Sequence, residues 1–191
     1  MENRERILKI MKNMIAKKGF VAVTTGELSA AAGISKRTLY QLFRSKEEII
    51  GLLLEEVLQA ADKKAEEIAK SSLSPPEKIK KITLTVAEEA HFLGPAGYSD
   101  LRRRYPRQRE KLKNSHSARI RLIRQIYLEG CRQGCFRETD PEVLIASFTA
   151  AVRAAVAPGA FAGHEKTLPQ VLDAITEIFL HGISFRQAPE R

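Results

Sequence analysis

Twenty residues decide how this chain is read: Thr24-Thr25-Gly26-Glu27-Leu28-Ser29-Ala30-Ala31-Ala32-Gly33-Ile34-Ser35-Lys36-Arg37-Thr38-Leu39-Tyr40-Gln41-Leu42-Phe43. Thr24 and Glu27 have the spacing of a capping box, in which the hydroxyl takes an orphan N–H of the first turn and the carboxylate reaches back to the cap. Val23 and Leu28 stand at the two positions of a hydrophobic staple. Gly33 stops the helix because it tolerates the left-handed backbone that a tight turn needs. Ile34 plugs the junction, and Ser35 caps the next helix, which runs from Lys36 to about Phe43. Two helices of about two turns each, joined by Gly33-Ile34-Ser35, form a helix-turn-helix, whose second helix enters the major groove of DNA. Leu28, Ala32, Leu39 and Phe43 face inward by spacing. Lys36, Arg37, Thr38, Tyr40, Gln41 and Arg44 face outward, and all of them donate hydrogen bonds or carry positive charge. The competing reading of the same residues is an ordinary αα-hairpin with a solvated polar face.

Helical spacing continues on both sides. Upstream, Ile7, Met11, Met14 and Ile15 share one face of a helix that Gly19 ends. Downstream, Ser45-Lys46-Glu47-Glu48 is a second capping box and opens a helix of about 25 residues with Ile49, Leu53, Val57, Ala60, Ala61 and Ile68 along one stripe. Ser74-Pro75-Pro76-Glu77 starts a fifth helix, which runs to Leu93 and is broken at Gly94-Pro95-Ala96-Gly97. A basic stretch from Leu101 to Lys113, interrupted by Pro106, leads into a helix bearing Ile120, Ile123, Tyr127 and Cys131 and ending at Gly134. Thr139-Asp140-Pro141-Glu142 starts an Ala-rich helix that ends at Pro158-Gly159, and Thr167-Leu168-Pro169-Gln170 caps the last. No alternating strand pattern is present, so the expected class is all-α with about nine helices.

Charge separates the remaining classes. The 191 residues carry 32 Lys and Arg against 23 Asp and Glu, net +9. The first 50 residues hold net +5, and residues 99–124 hold net +8, so the rest of the chain is acidic. Cations of one sign on an outward helix face lower the cost of approaching phosphates. The longest apolar run, Ile49 to Leu54, is far short of the ~20 residues a membrane helix requires, and the first residues lack a signal-peptide core. Cys131 and Cys135 are the only cysteines, which suits a reducing compartment and excludes a disulfide framework. The expectation is a cytoplasmic protein with no membrane partner.

The run from Thr25 to Ile49 resembles the TetR/AcrR family of bacterial transcriptional regulators, through Ala32-Gly33-Ile34-Ser35, Thr38-Leu39-Tyr40, Phe43 and Lys46-Glu47-Glu48. Arg37 stands where that family often has Gly, and Leu42 where it often has His or Tyr. The resemblance implies a helix-turn-helix DNA-binding domain over residues 1–47 and a helical ligand-binding and dimerisation domain over 48–191. It implies phosphate contacts from Thr25, Tyr40 and Lys46, the last together with free N–H groups of the long helix. The chemistry of the outward face makes Lys36, Arg37, Thr38 and Gln41 the candidates for the groove, with Arg44 beside them. Arg pairs with guanine and Gln with adenine.

The family likeness further implies a homodimer through the last two helices, residues 140–157 and 168–185, which pair with their mates as a four-helix bundle. It implies a repressor that leaves a palindromic operator in double-stranded DNA when a small-molecule effector of unknown identity binds, and that sits on the nucleoid while bound to DNA. His91, Phe92, Tyr98, Tyr105, His116 and Tyr127 are the candidate pocket residues by aromatic or polar-tipped character. For residues 99–124 three readings stay open: a solvated helix face, an anionic ligand and a second DNA contact. The i, i+4 cysteines read as structural, because His91, His116, His164 and His181 offer no companion spacing for a metal. No phosphate loop, nucleophile elbow or paired-acid constellation appears, so no cofactor, metal or catalytic residue is expected. A helical interaction module or helical enzyme is the rival class.

Overall fold

The structure, a computed structural model, describes residues 2–157, 159–160, 163 and 165–183. Among these, eight helical spans form and no β-strand: α1 (Glu2–Ala22), α2 (Thr25–Ala31), α3 (Lys36–Leu42), α4 (Lys46–Lys70), α5 (Pro75–Arg104), α6 (Pro106–Arg132), α7 (Pro141–Ala155) and α8 (Leu168–Ile183). The fifth span is two helices meeting at Gly94 (φ 58°), which makes the expected nine. Pro158, His164 and residues 184–185, which figured in the sequence reading, lie outside the described residues.

The caps act as their spacing predicts, with local adjustments. Thr24 Oγ1 accepts from the Glu27 N–H at 3.1 Å while Glu27 Oε2 accepts from the Thr24 N–H at 2.9 Å, a complete capping box. At α4 the box is shifted by one residue. Ser45 Oγ accepts from the Glu48 N–H, but Glu48 returns to the N–H of Arg44 at 2.7 Å rather than to that of Ser45. Asp140 caps α7 by accepting from Glu142 and Val143.

The basic stretch departs from expectation. The break after Leu93 is confined to Gly94, and helix resumes at once and runs to Arg104. Pro106, expected to interrupt the basic stretch, opens α6. Proline is favourable at a helix start, where its missing N–H is one of the orphans, and it keeps only the preceding Tyr105 out of helix.

The chain forms two compact units, Met1–Ala60 with Glu88–Asn114, and Ala61–Ala87 with Ser115–Arg191. Helices α4, α5 and α6 each supply residues to both. The first unit is organised around Ile7, Met11, Ile15, Phe20, Leu28, Leu39, Phe43 and Ile49, joined by Phe92, Leu93, Leu101 and Leu112 from the later segment. Phe20 sits edge-on to both Phe92 and Tyr105, at 6.2 and 5.9 Å. The second unit packs Ile79, Ile82, Ile123, Ile126, Tyr127 and Phe136 with Phe148, Leu180 and Ile183 of α7 and α8. It also encloses a polar tie. Arg119, 4% exposed, lies 3.3 Å from Asp62 of α4 and donates to Thr85 of α5 and Ser115 of α6. Pairing with carboxylate and hydroxyls is what makes a buried guanidinium tolerable. No helix among the described residues is long and apolar enough to cross a membrane.

Candidate nucleic-acid interface

The helix-turn-helix lies within the first unit. Gly33 takes φ 64°, and no atom lies within 4 Å of where a Cβ would stand, so the conformation, not space, calls for glycine there. The turn is closed by the Ile34 N–H donating to Ser29 O at 3.0 Å. Leu28, Ala32, Leu39 and Phe43 are buried as expected, and their burial turns the other faces of α2 and α3 outward. Arg6 of α1 donates to Ala32 O at 3.0 Å, holding the end of α2. Arg4 stacks over the Phe43 ring at 4.8 Å while paired with Glu48.

The expected DNA-facing residues are not equivalent. Arg37, Gln41 and Arg44 are exposed, and α3 contains no acidic residue. The exposed Tyr40 points its hydroxyl at Thr25 Oγ1, 3.5 Å away, so the two expected phosphate donors sit side by side across the α2–α3 face. Lys36 is exposed, and its stem passes over Gly26, where an added Cβ would stand 3.2 Å from Lys36 Cε. Thr38 is half-buried and its hydroxyl is taken up by Ser35 Oγ at 2.9 Å. Lys46 is half-buried, and its ammonium donates to Val21 O at 3.1 Å. Burial pushes its pKa down, against the opposing pull of Asp100 and Glu27. The Val21 N–H in turn donates to Asp100 Oδ2 at 2.7 Å. One residue at the end of α1 is thus gripped from α4 on one side and from α5 on the other.

This grip depends on Gly19. With φ 79° and ψ 177° it occupies a region reserved for glycine, and a Cβ there would stand 2.7 Å from Ala96 Cβ and 3.0 Å from Asp100 Oδ2. Beside it, Lys18 and Glu27 form an ion pair at 2.7 Å that, with the capping bonds of Thr24, holds the Glu27 carboxyl down to a pKa of about 2. Sequence reasoning missed Asp100 and Arg6. Their partners are 79 and 26 residues away, and no local pattern announces such bonds.

The six candidate pocket residues do not surround one space. Phe92 and Tyr105 pack in the core of the first unit, Tyr98 donates to Glu89 at 3.1 Å in the same unit, and His91 is exposed. His116 is half-buried in the second unit. Tyr127 is buried there, stacked on Phe136 at 5.9 Å, with its hydroxyl accepting from the Thr139 N–H at 2.9 Å and donating to Arg137 O. Burial pushes the phenol's pKa up. Tyr127 also lines a small apolar cleft between Ile79, Ile123, Phe148, Phe179 and Leu180. The other five line no part of it.

Comparison with known proteins places this geometry. Residues 7–53 match the family model described as bacterial regulatory proteins, tetR family. The chain is 23% identical over 181 residues to an HTH-type transcriptional regulator, YvaF of Bacillus subtilis (strain 168), covering 94% of this chain and 95% of that one. It is 30% identical over 76 residues to the HTH-type transcriptional repressor KstR2 of Mycolicibacterium smegmatis, 40% of this chain and 37% of that one. In fold it resembles the TetR-family transcriptional regulator PfmR of Thermus thermophilus, with a TM-score of 0.72 at 23% identity over 97% of this chain and all of that one. A capped helix-turn-helix with a cationic outer face, a helical remainder and these likenesses converge: residues 7–53 form a DNA-binding domain of the tetR family of bacterial regulatory proteins, and the chain as a whole is similar to TetR-family transcriptional regulators.

Proposed function

We propose that the chain is a ligand-released repressor acting as a homodimer on a palindromic operator, with residues 1–47 as reading head and 48–191 as ligand-binding and dimerisation domain. The observation that carries the reading is α3. Its exposed Arg37 and Gln41, with Arg44 just beyond it, make no ion pair among the described residues, so their donors are available to a duplex. Arg37 and Gln41 enter the major groove with Lys36, while Tyr40 and Thr25 hold phosphates on the shared α2–α3 face. Thr38 acts through the cap it completes with Ser35. Lys46 exchanges its bond to Val21 O for a phosphate when DNA arrives.

One short recognition helix buries little surface, so specificity calls for two half-sites. On α7 and α8, Val143 and Ile178 are 62% and 70% exposed, and Ala146, Ala150 and Ala154 are exposed small residues along α7 that permit close helix approach. This face pairs the protomers. The apolar cleft beside Tyr127 makes an apolar molecule the favoured effector class, since its lining offers few polar partners. The effector acts by population shift. It prefers a spacing of the two heads that mismatches the operator, and a coupling of about 1–3 kcal/mol suffices to alter occupancy severalfold or more. The protein works in the cytoplasm, on the nucleoid when bound.

A mobility-shift assay on the DNA upstream of the protein's own gene tests the reading. Salt-sensitive binding, relieved by an apolar compound that also raises the melting temperature, is the expected result. Absence of binding at low salt to every palindromic fragment tried would favour the interaction-module alternative.

A further inference from the structure

Nine of the ten cations of residues 99–124 separate into two groups in the folded chain, and the tenth, Arg121, is exposed in the second unit. Lys111 pairs with Glu55 at 2.6 Å, Lys113 with Glu110 at 3.5 Å and Arg124 with Glu142 at 2.8 Å, and Arg119 is buried against Asp62. Arg102, Arg103, Arg104, Arg107 and Arg109 are exposed and make no ion pair among the described residues. All five belong to the compact unit that holds the helix-turn-helix. Like charges this close repel one another, and a polyanion relieves that repulsion.

One of the five is placed by a groove. An open groove is lined from α3 and its C-terminal end by Tyr40, Gln41 and Arg44, and from α6 by Arg107, Gln108 and Lys111. Its carboxylates Glu48 and Glu55 are paired with Arg4 and Lys111, which leaves Arg44 and Arg107 as uncompensated cations against Glu47. Gln108 is 6% exposed, and its Oε1 has no hydrogen-bond partner among the described residues. Turning that amide by about 180° replaces the orphaned acceptor with an NH₂ donor, the group an anionic oxygen needs. Phosphates border the major groove on both sides at a width of about 12 Å. A strand that passes the C-terminal end of α3 therefore has Arg44 and Arg107 along its path.

We propose that Arg107, supported by the neighbouring exposed arginines, binds phosphates of operator DNA flanking the half-site read by α3. This rests on the DNA-binding reading above and extends it from the helix-turn-helix to the start of α6. It gives the second basic segment a partner.

The test uses the full chain and a duplex that the wild-type protein selects from a random pool, in two forms: with long flanks, and trimmed to the half-sites. Binding is titrated against salt. On the long duplex Arg107→Gln lowers the slope of log K against log salt by about one, the value of a lost phosphate contact. On the trimmed duplex wild type and Arg107→Gln have the same slope. Arg107→Lys retains the wild-type slope on both, as does Arg121→Gln, whose exposed cation lies in the other unit. An unchanged slope for Arg107→Gln on the long duplex, with wild type binding, overturns the proposal and leaves the DNA-binding reading intact. An equal loss on both duplexes places the contact inside the half-site and also overturns it. Failure of the wild type to select any DNA removes the reading on which the proposal rests, and the proposal with it.

Discussion

At the scale of single residues, the reading head is held by a few bonds whose loss has a defined signature. Glu27 is the clearest. Its carboxyl is held at a pKa of about 2 against an ordinary 4.5, first by Lys18 and then by the Thr24 cap. A depressed carboxyl contributes stability that is full above its unfolded value and is lost as pH falls toward the folded one. Glu27→Gln keeps a capping amide but removes the charge. The variant should therefore melt below wild type at neutral pH, with the difference shrinking between about pH 4.5 and 2, as thermal melts followed by circular dichroism will show. A constant difference across that window would assign the effect to the cap alone. Lys46 gives a second prediction. Lys46→Ala should weaken binding to all DNA sequences alike and lower the salt slope by about one, measured by fluorescence anisotropy. A change of sequence preference instead would make Lys46 a base-reading residue. The caps and inward apolar positions of this region were legible because they depend on neighbours three or four residues away. The bonds from Asp100 to Val21 and from Lys46 to Val21 were not, because they join segments distant in sequence. Thr38 was expected to face the groove, yet the Ser35 cap claims its hydroxyl.

At the scale of elements, glycine marks the places where backbone and packing meet. Gly19 ends the regular part of α1 and lets that turn approach α5 near Ala96 and Asp100. Gly19→Ala forces a side chain into a glycine-only region and against Ala96, a change that should cost about 2 kcal/mol or more in urea denaturation. A loss below about 0.5 kcal/mol, the range of an ordinary surface substitution, would show that the turn adapts. The stop at Gly19 was readable from the two lysines before it, but the close approach it permits was not, since it depends on Ala96 and Asp100, far along the chain. The basic stretch shows the opposite limit. Pro106 reads equally as an interruption or as a helix start, and only the packing of Leu101 and Leu112 into the first unit's core selects helix on both sides of it.

At the scale of the whole molecule, specific recognition by so short a helix calls for two copies of the reading head. If α7 and α8 form the interface, Val143→Glu with Ile178→Glu places two carboxylates on an apolar face that must be desolvated. The double variant should sediment as a folded monomer at micromolar concentration and lose operator affinity by about tenfold or more, since half-site binding alone is weak. A dimer that survives this change would move the interface elsewhere. The apolar cleft was the least legible part of the molecule. Aromatic or polar-tipped character singled out six residues, but only Tyr127 lines the apolar cleft, because a cavity arises from helices distant in sequence and has no local signature.

The central claim, that α3 of a paired head reads DNA sequence, is tested most directly by selecting from a random DNA pool with wild type and with Arg37→Ala and sequencing the bound fraction. Wild type should enrich an inverted repeat with half-site centres about 34 Å apart or a multiple of it, and Arg37→Ala should alter the preferred base at one position in each half. No enriched repeat for wild type, or the same preference for both proteins, would contradict it.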